Sequence, residues 1–182
     1  PYFQSESVDV ALGFTRYATD ELTVTYGVGY VFSSVEDSIG SDDYQLLTLP
    51  LGAVLERRDN ALDPKSGYYV DLDLTPFYGI EGTDSGAQME LDTRAYRSFG
   101  EDDRFTLAGR LQLGVLAGPE LVDSPTIYRF YSGGGGTVRG QDYQSLGVDV
   151  GGEKTGGRSF LGLSGELRAG VTENIEVVGF AD

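Results

Sequence analysis

Residues 128–144 read YRFYSGGGGTVRGQDYQ, and within them Arg139 stands directly before Gly140 in a Val138-Arg139-Gly140 triplet. A guanidinium is permanently charged and presents a planar five-donor fork, so its characteristic chemistry is to grip one carboxylate bidentately while still touching a second. The glycine tract ahead of it begins at Gly133 and Gly134 and lets the backbone fold tightly. Tyr128, Phe130 and Tyr131 supply aromatic anchors at the near end. A loop of this composition is suited to packing inside a structure, although an isolated Val-Arg-Gly is ordinarily a solvated turn.

Other reactive side chains are sparse. The chain has no histidine and no cysteine, which removes His-based triads, thiolate nucleophiles and zinc sites of the usual ligand types. Gly162-Leu163-Ser164-Gly165 lacks the second spacer of a nucleophile elbow. Lys154 is preceded by Glu153, so the glycine tract is not a phosphate-binding loop. Paired carboxylates such as Asp71 and Asp73 read as part of a mixed-charge face rather than an acid/base pair. No enzymatic activity, cofactor or metal site is expected. Net charge is −16, and a polyanion such as nucleic acid would be repelled. The acids Glu36, Asp37, Asp42 and Asp43 in 33–43, and Glu81 and Asp84 in 78–86, are expected in exposed loops.

The elements that would carry this loop follow from periodicity. With 182 residues, 40% apolar and 12% aromatic, the chain is expected to fold as one domain. No apolar run approaches the roughly 18 to 20 residues of a membrane-spanning helix. Apolar residues instead recur every second position: Val8, Val10, Leu12 and Phe14, then Leu22 through Phe32, then Val70, Leu72 and Leu74, each opposed by small or polar residues. This predicts eight strands, over 8–17, 22–32, 44–56, 68–77, 87–99, 104–116, 158–171 and 175–182. Pro50 and Pro76 each imply a bulge or a lost ladder bond.

Alternation alone fits a water-soluble sandwich as well as a transmembrane barrel. Strand length favours the barrel, because about 9 to 11 residues cross a bilayer at a tilt and soluble strands are typically about 5 to 6. The connections also alternate. Residues 18–21, 100–103 and 172–174 are expected to be short turns, and 33–43, 78–86 and 117–157 long loops, with 57–67 as an eleven-residue exception on the short side. The opening residues PYFQSESVDV carry no signal-peptide pattern, and the chain stops inside an apolar run at Gly179-Phe180-Ala181-Asp182. Both ends read as cuts through a larger protein.

Three separated motifs resemble one family. RFYSGGGGTVRGQDYQSLG over 129–147, followed by Gly156-Gly157-Arg158-Ser159, resembles the long lumenal loop and next strand of the BamA/TamA superfamily of outer-membrane assembly and translocation barrels, the bacterial surface antigen family, and is most similar to its TamA branch. Arg58-Asp59-Asn60-Ala61-Leu62-Asp63-Pro64-Lys65-Ser66-Gly67 resembles its R-D-N-x-L-D-P-x-x-G periplasmic turn, and Phe180-Ala181-Asp182 its F-x-D strand end. One position departs. Members usually carry an aromatic directly after Val-Arg-Gly, whereas here Gln141 stands there and Tyr143 follows two positions later, so the packing that aromatic supplies is either lost or taken over by Tyr143.

The resemblance implies an all-β, antiparallel up-and-down transmembrane β-barrel in the bacterial outer membrane. These eight strands would be the middle-to-late part of about sixteen, residues 1–182 forming a partial barrel domain with a lumenal loop over about 117–157, and with the POTRA domains and terminal strands lying outside it. It implies that Arg139, flanked by Val138 and Gly140, reaches Glu166 and Asp182, with Arg168 competing for Glu166. Tyr128, Phe130, Tyr131, Gly133, Gly134 and Tyr143 would pack the loop. Arg58, Asp59, Asp63, Pro64 and Gly67 would shape the periplasmic turn. The function implied is insertion or export of unfolded β-barrel or autotransporter clients, among outer-membrane lipid and with inner-membrane or periplasmic partner subunits. The alternatives are a two-partner secretion pore of the same superfamily and a complete small eight-stranded structural or adhesive barrel. Alone, the piece is expected either to dimerise through open edge strands or to close into a smaller barrel.

Overall fold

The alternating segments form strands, and the strands form one wall. The computed structural model describes residues 3–37, 41–172 and 175–182. Its strands are β1 (Phe3–Tyr17), β2 (Leu22–Asp37), β3 (Ser41–Thr48), β4 (Leu51–Glu56), β5 (Ser66–Glu81), β6 (Gly86–Phe99), β7 (Phe105–Ala117), β8 (Val148–Val150), β9 (Glu153–Thr155), β10 (Ser159–Thr172) and β11 (Ile175–Ala181). β8 and β9 make a small hairpin inside the loop between β7 and β10. The remaining strands pair antiparallel in the order β1, β2, β3 with β4, β5, β6, β7, β10, β11. This is an up-and-down meander whose edges are β1 and β11, so the described residues do not close into a small eight-stranded barrel.

β3 and β4 are the single strand expected over 44–56, interrupted at Leu49-Pro50. Register explains the interruption. Thr48 pairs with Phe77 and Leu51 with Leu74, so nothing slips across the gap. Leu49 donates to the Pro76 carbonyl at 2.9 Å and Gly27 to the Pro50 carbonyl at 2.9 Å. The reciprocal bonds would need amide hydrogens that the two prolines lack. Of the two outcomes that each proline allowed, the lost ladder bond is the one realised.

Two expected loops are mostly strand. β2 runs to Asp37 and β3 begins at Ser41, so 33–43 is largely a paired hairpin, with its turn at 38–40 outside the described residues. β5 continues to Glu81 and leaves only 82–85 as the connection to β6. Acidic residues in these segments point to loops by sequence, but backbone pairing satisfies a strand whatever its side chains carry. Long-loop asymmetry therefore rests on 118–158 alone. The expected short turn at 172–174 includes residues 173 and 174, which lie outside the described residues.

The two faces differ as the alternation requires. Val8, Val10, Leu12, Phe14, Tyr26, Val28, Leu161 and Leu163 all point outward and stay exposed, Val10 at 67%. A soluble sandwich would cover such a face with a second sheet; here it is a continuous apolar belt of the kind a bilayer covers. The inner face carries charges of both signs, including Asp71, Asp73, Asp92, Arg94, Arg110, Glu166 and Arg168. Toward the long-loop end it turns apolar, and Val31, Leu46, Phe77 and Leu116 form a buried cluster under the loop.

Candidate functional site: the lumenal loop and its arginine

The loop over 118–158 is folded back on itself and onto the inner face. Its limbs are tied by bridges between Phe130 and Gly157 and between Ser132 and Leu146, with Gly134 and Val138 closing the tip. Arg129, buried and missed as a site residue by sequence reasoning, organises the base. Its guanidinium donates to the Ser124 carbonyl at 2.7 Å, the Ser124 hydroxyl at 3.0 Å and the Thr155 hydroxyl at 3.1 Å. These acceptors sit far apart in sequence, so only the folded loop shows them together.

Aromatic residues seat the loop on the wall. The Tyr128 ring stacks on Phe77 with centroids 5.1 Å apart, and Phe130 joins the same apolar cluster. Burial pushes the Tyr128 phenol up to about 12, with Asp9 adding to the rise. Phe130 lies over Gly114 of β7 so closely that a Cβ there would stand 2.5 Å from its ring. Tyr131 packs against Gly156. Gly133 and Gly134 adopt φ of 108° and 90°, as expected of a tract that must fold tightly. Tyr143 lies across Gly134 but is 80% exposed, so of the two outcomes open at Gln141 the packing of the missing aromatic is lost rather than taken over.

At the tip, Gln141 donates to the Val138 carbonyl at 3.4 Å, making residues 138–141 a tight turn with Arg139 at its second position. Gly140, third in the turn, has φ of 86°, a conformation that a side chain disfavours. This turn aims Arg139 at the last two strands. Its Nε and Nη2 hold Asp182 at 2.8 and 2.6 Å, its own amide donates to the same carboxylate at 2.9 Å, and Nη1 reaches Glu166 at 2.5 Å. The Phe180 ring lies under the guanidinium at 3.8 Å, within cation–π reach. The arginine side chain is 27% exposed, and that of Asp182 only 4%. These carboxylates, Asp182 foremost, hold the guanidinium above its usual value.

Arg168 does not displace Arg139 from Glu166. The carboxylate divides, Oε1 going to Arg139 and Oε2 to Arg168 at 2.9 Å. A second tie was not anticipated. Arg110 of β7 donates to the Gly136 carbonyl at 2.8 Å while holding Asp92 at 2.7 Å, and Gln88 donates to the Tyr128 carbonyl at 3.3 Å. Arg110 and Asp92 share the polar face of their strands, but their pairing depends on register between β6 and β7, which alternation does not reveal. The contacts of Arg139 with Asp182 and Glu166, and of Arg110 with the Gly136 carbonyl, are ones that hold a loop.

At the opposite end, the turn over 57–65 tucks beneath the wall. The Asp59 carboxylate accepts the amides of Asn60 at 3.0 Å, Lys65 at 3.0 Å and Ser66 at 3.1 Å. Gly67 takes φ of 95°, where a Cβ would meet the Arg57 carbonyl, and Pro64 is buried. Asp63 pairs with Lys65 at 3.4 Å, and Lys65 also reaches Glu176 of β11 at 3.4 Å. Arg58 pairs with Glu56.

The fold has a counterpart among known proteins. The crystal structure of BamA from Haemophilus ducreyi lacking POTRA domains 1–3 superposes with a TM-score of 0.78 over 98% of this chain, at 13% sequence identity. This chain covers 41% of that truncated chain. At that identity the match establishes the barrel-wall fold alone. The sequence match is to the Omp85 superfamily domain, over residues 2–182. With nearly every residue inside that domain and the same wall architecture, the chain belongs to the Omp85 superfamily.

Proposed function

We propose that this segment is the loop-bearing wall of a bacterial outer-membrane factor that inserts or exports unfolded β-barrel or autotransporter clients, working without covalent chemistry of its own. One observation carries the reading: the loop is pinned inside the wall, from Arg139 to Glu166 on β10 and Asp182 just beyond β11. A loop that merely plugged a pore would need bulk; this one is held by a charge-assisted clamp at its tip, which suits a loop that stabilises the wall while clients engage elsewhere. An apolar outer belt supports outer-membrane lipid as the surroundings. Clients and inner-membrane or periplasmic partner subunits follow from the family and are assigned to the whole protein.

The test is client insertion by the intact protein reconstituted in lipid vesicles. Arg139→Ala is expected to slow folding of a barrel client while the wall keeps its strand content by circular dichroism. Insertion at the wild-type rate with a demonstrably released loop would overturn the proposal. Export of a soluble exoprotein without any barrel insertion would favour the secretion-pore alternative.

A further inference from the structure

The turn over 57–65, between β4 and β5, takes no part in the loop clamp, yet it is drawn toward the inner face. The Ser98 hydroxyl of β6 donates to the Lys65 carbonyl at 2.8 Å and lies 3.0 Å from the Thr106 hydroxyl of β7. Ser98, Thr106 and Arg168 form one rung across β6, β7 and β10, on the charged side of the sheet. The turn is shaped by its own side chains. Asp59 accepts the Lys65 and Ser66 amides, and the Asn60 side-chain carbonyl accepts those of Leu62 and Asp63 at 2.8 and 3.3 Å. From this turn the Lys65 ammonium reaches Glu176, the second residue of β11, at 3.4 Å. Val178 pairs with Arg168, so Glu176, two residues earlier, faces inward as well.

Three strands, β6, β7 and β10, stand between β5 and β11. Four inter-strand steps along the sheet amount to about 19 Å, more than a lysine and a glutamate side chain span together. The turn must therefore cut across the concave side of the wall as a chord. A cavity of about 680 Å³, lined by Asp63, Lys65, Arg104 and Glu176 among others, lies along that chord, and the side-chain pair is what crosses it.

We propose that residues 57–65 are a strap that holds the start of β11 against the wall, with the Lys65–Glu176 pair as its latch. The β10–β11 hairpin needs holding at this end. β10 pairs with β7 only as far as Ala169, and the register between β10 and β11 shifts between Gly170 and Thr172, which interrupts the ladder. Arg104 secures Gly170 on both sides: its Nε donates to the Gly170 carbonyl at 3.0 Å, and its own carbonyl receives the Gly170 amide at 2.9 Å. Those bonds fix β10. Beyond the shift, the latch does the same for β11. Lys65 divides its ammonium between Asp63 and Glu176, each at 3.4 Å, so turn and strand share one cation. With both side chains about one-third exposed, the latch is modest and opens readily. It does not involve Arg139, so it stands or falls apart from the loop clamp.

Hydrogen exchange of residues 175–181, measured by mass spectrometry in the full-length protein in lipid, tests the strap. Lys65→Ala and Glu176→Gln are each expected to speed exchange about 2- to 5-fold, the range for a partly exposed ion pair. The double variant should speed it by clearly less than the two single effects combined, because the same pair is lost either way. Ser98→Ala frees the Lys65 carbonyl while leaving both charges in place, and should act in the same direction. Asp63→Asn removes the lysine's partner within the turn and should not speed exchange, since Glu176 then has the ammonium to itself. Wild-type exchange in both Lys65→Ala and Glu176→Gln overturns the latch, as do single effects that simply combine in the double variant. Wild-type exchange in Ser98→Ala, or an acceleration by Asp63→Asn equal to that of Lys65→Ala, overturns the strap.

Discussion

Replacing Arg139 by lysine separates charge from geometry. The arginine makes three side-chain bonds to two carboxylates and stacks over Phe180, whereas a lysine ammonium keeps the charge but reaches one carboxylate as a point donor. A charge-assisted hydrogen bond contributes roughly 1.5 to 3 kcal/mol. The arginine is 27% exposed and the amide of residue 139 still serves Asp182, so the net loss is about 2 kcal/mol, near the low end of that range. Alanine costs more. It leaves Asp182 with the residue-139 amide and the Ser164 hydroxyl, while Glu166 retains Arg168, so the bottom of the range for breaking a buried pair, about 3 kcal/mol, applies. At about 1.4 kcal/mol per tenfold, loop opening should rise roughly 30-fold for lysine and about a hundredfold for alanine. Protection of residues 132–141 against hydrogen exchange in the intact protein reads both. A lysine variant within threefold of wild type would refute the fork argument, since a single charge would then suffice.

Two glycines and one carboxylate give independent checks. Gly114→Ala drives a methyl into the Phe130 ring, and overpacking of this kind costs about 1 to 3 kcal/mol; the expected result is a less protected loop with an intact wall, seen by protease cleavage within 118–158. Gly140→Ala meets nothing within 4 Å, so its cost is the left-handed backbone alone, about 1 to 2 kcal/mol, and loop opening should rise about tenfold by hydrogen exchange. In the short-side turn, hydrogen bonds from the Ser66 amide, then those of Lys65 and Asn60, hold the Asp59 carboxyl below the usual carboxylate range. A depressed carboxylate contributes order above its unfolded pKa of about 3.9 and loses it as pH falls through the native value. The Lys65 and Ser66 amide resonances should therefore be steady at neutral pH and shift only below about pH 4, a transition that Asp59→Asn removes.

Much of the wall was legible because a single-layer sheet exposes its pattern directly. Val8 to Phe14 alternate with small and polar residues because one side meets an apolar surrounding and the other a charged interior, and no second layer scrambles that period. Strand ends were not legible. Glu36, Asp37 and Asp42 looked like loop residues, yet they continue β2 and β3 because pairing there is settled by the neighbouring backbone. At the site, Arg139, Glu166 and Asp182 came from motif resemblance, and the wall brings them together. Arg129, Arg110 and Asp92 were passed over because their partners are fixed by cross-strand register or by the loop's own fold. Tyr143, one of two outcomes that the resemblance left open at Gln141, rests on Gly134 but stays largely exposed, because the turn at 138–141 fixes which side chains reach the wall.

The central claim is that the loop is held in the wall by the pairing of Arg139 with Asp182. A double-mutant cycle between Arg139→Ala and Asp182→Ala, read by hydrogen exchange of residues 132–141 in the intact protein, measures that pairing directly. The account predicts that the double variant opens the loop by clearly less than the two single effects added together, because each change alone already breaks the Arg139–Asp182 side-chain bonds, while the residue-139 amide bond and the Glu166 bond are lost separately. Effects that simply add, with each residue contributing independently of the other, would contradict it.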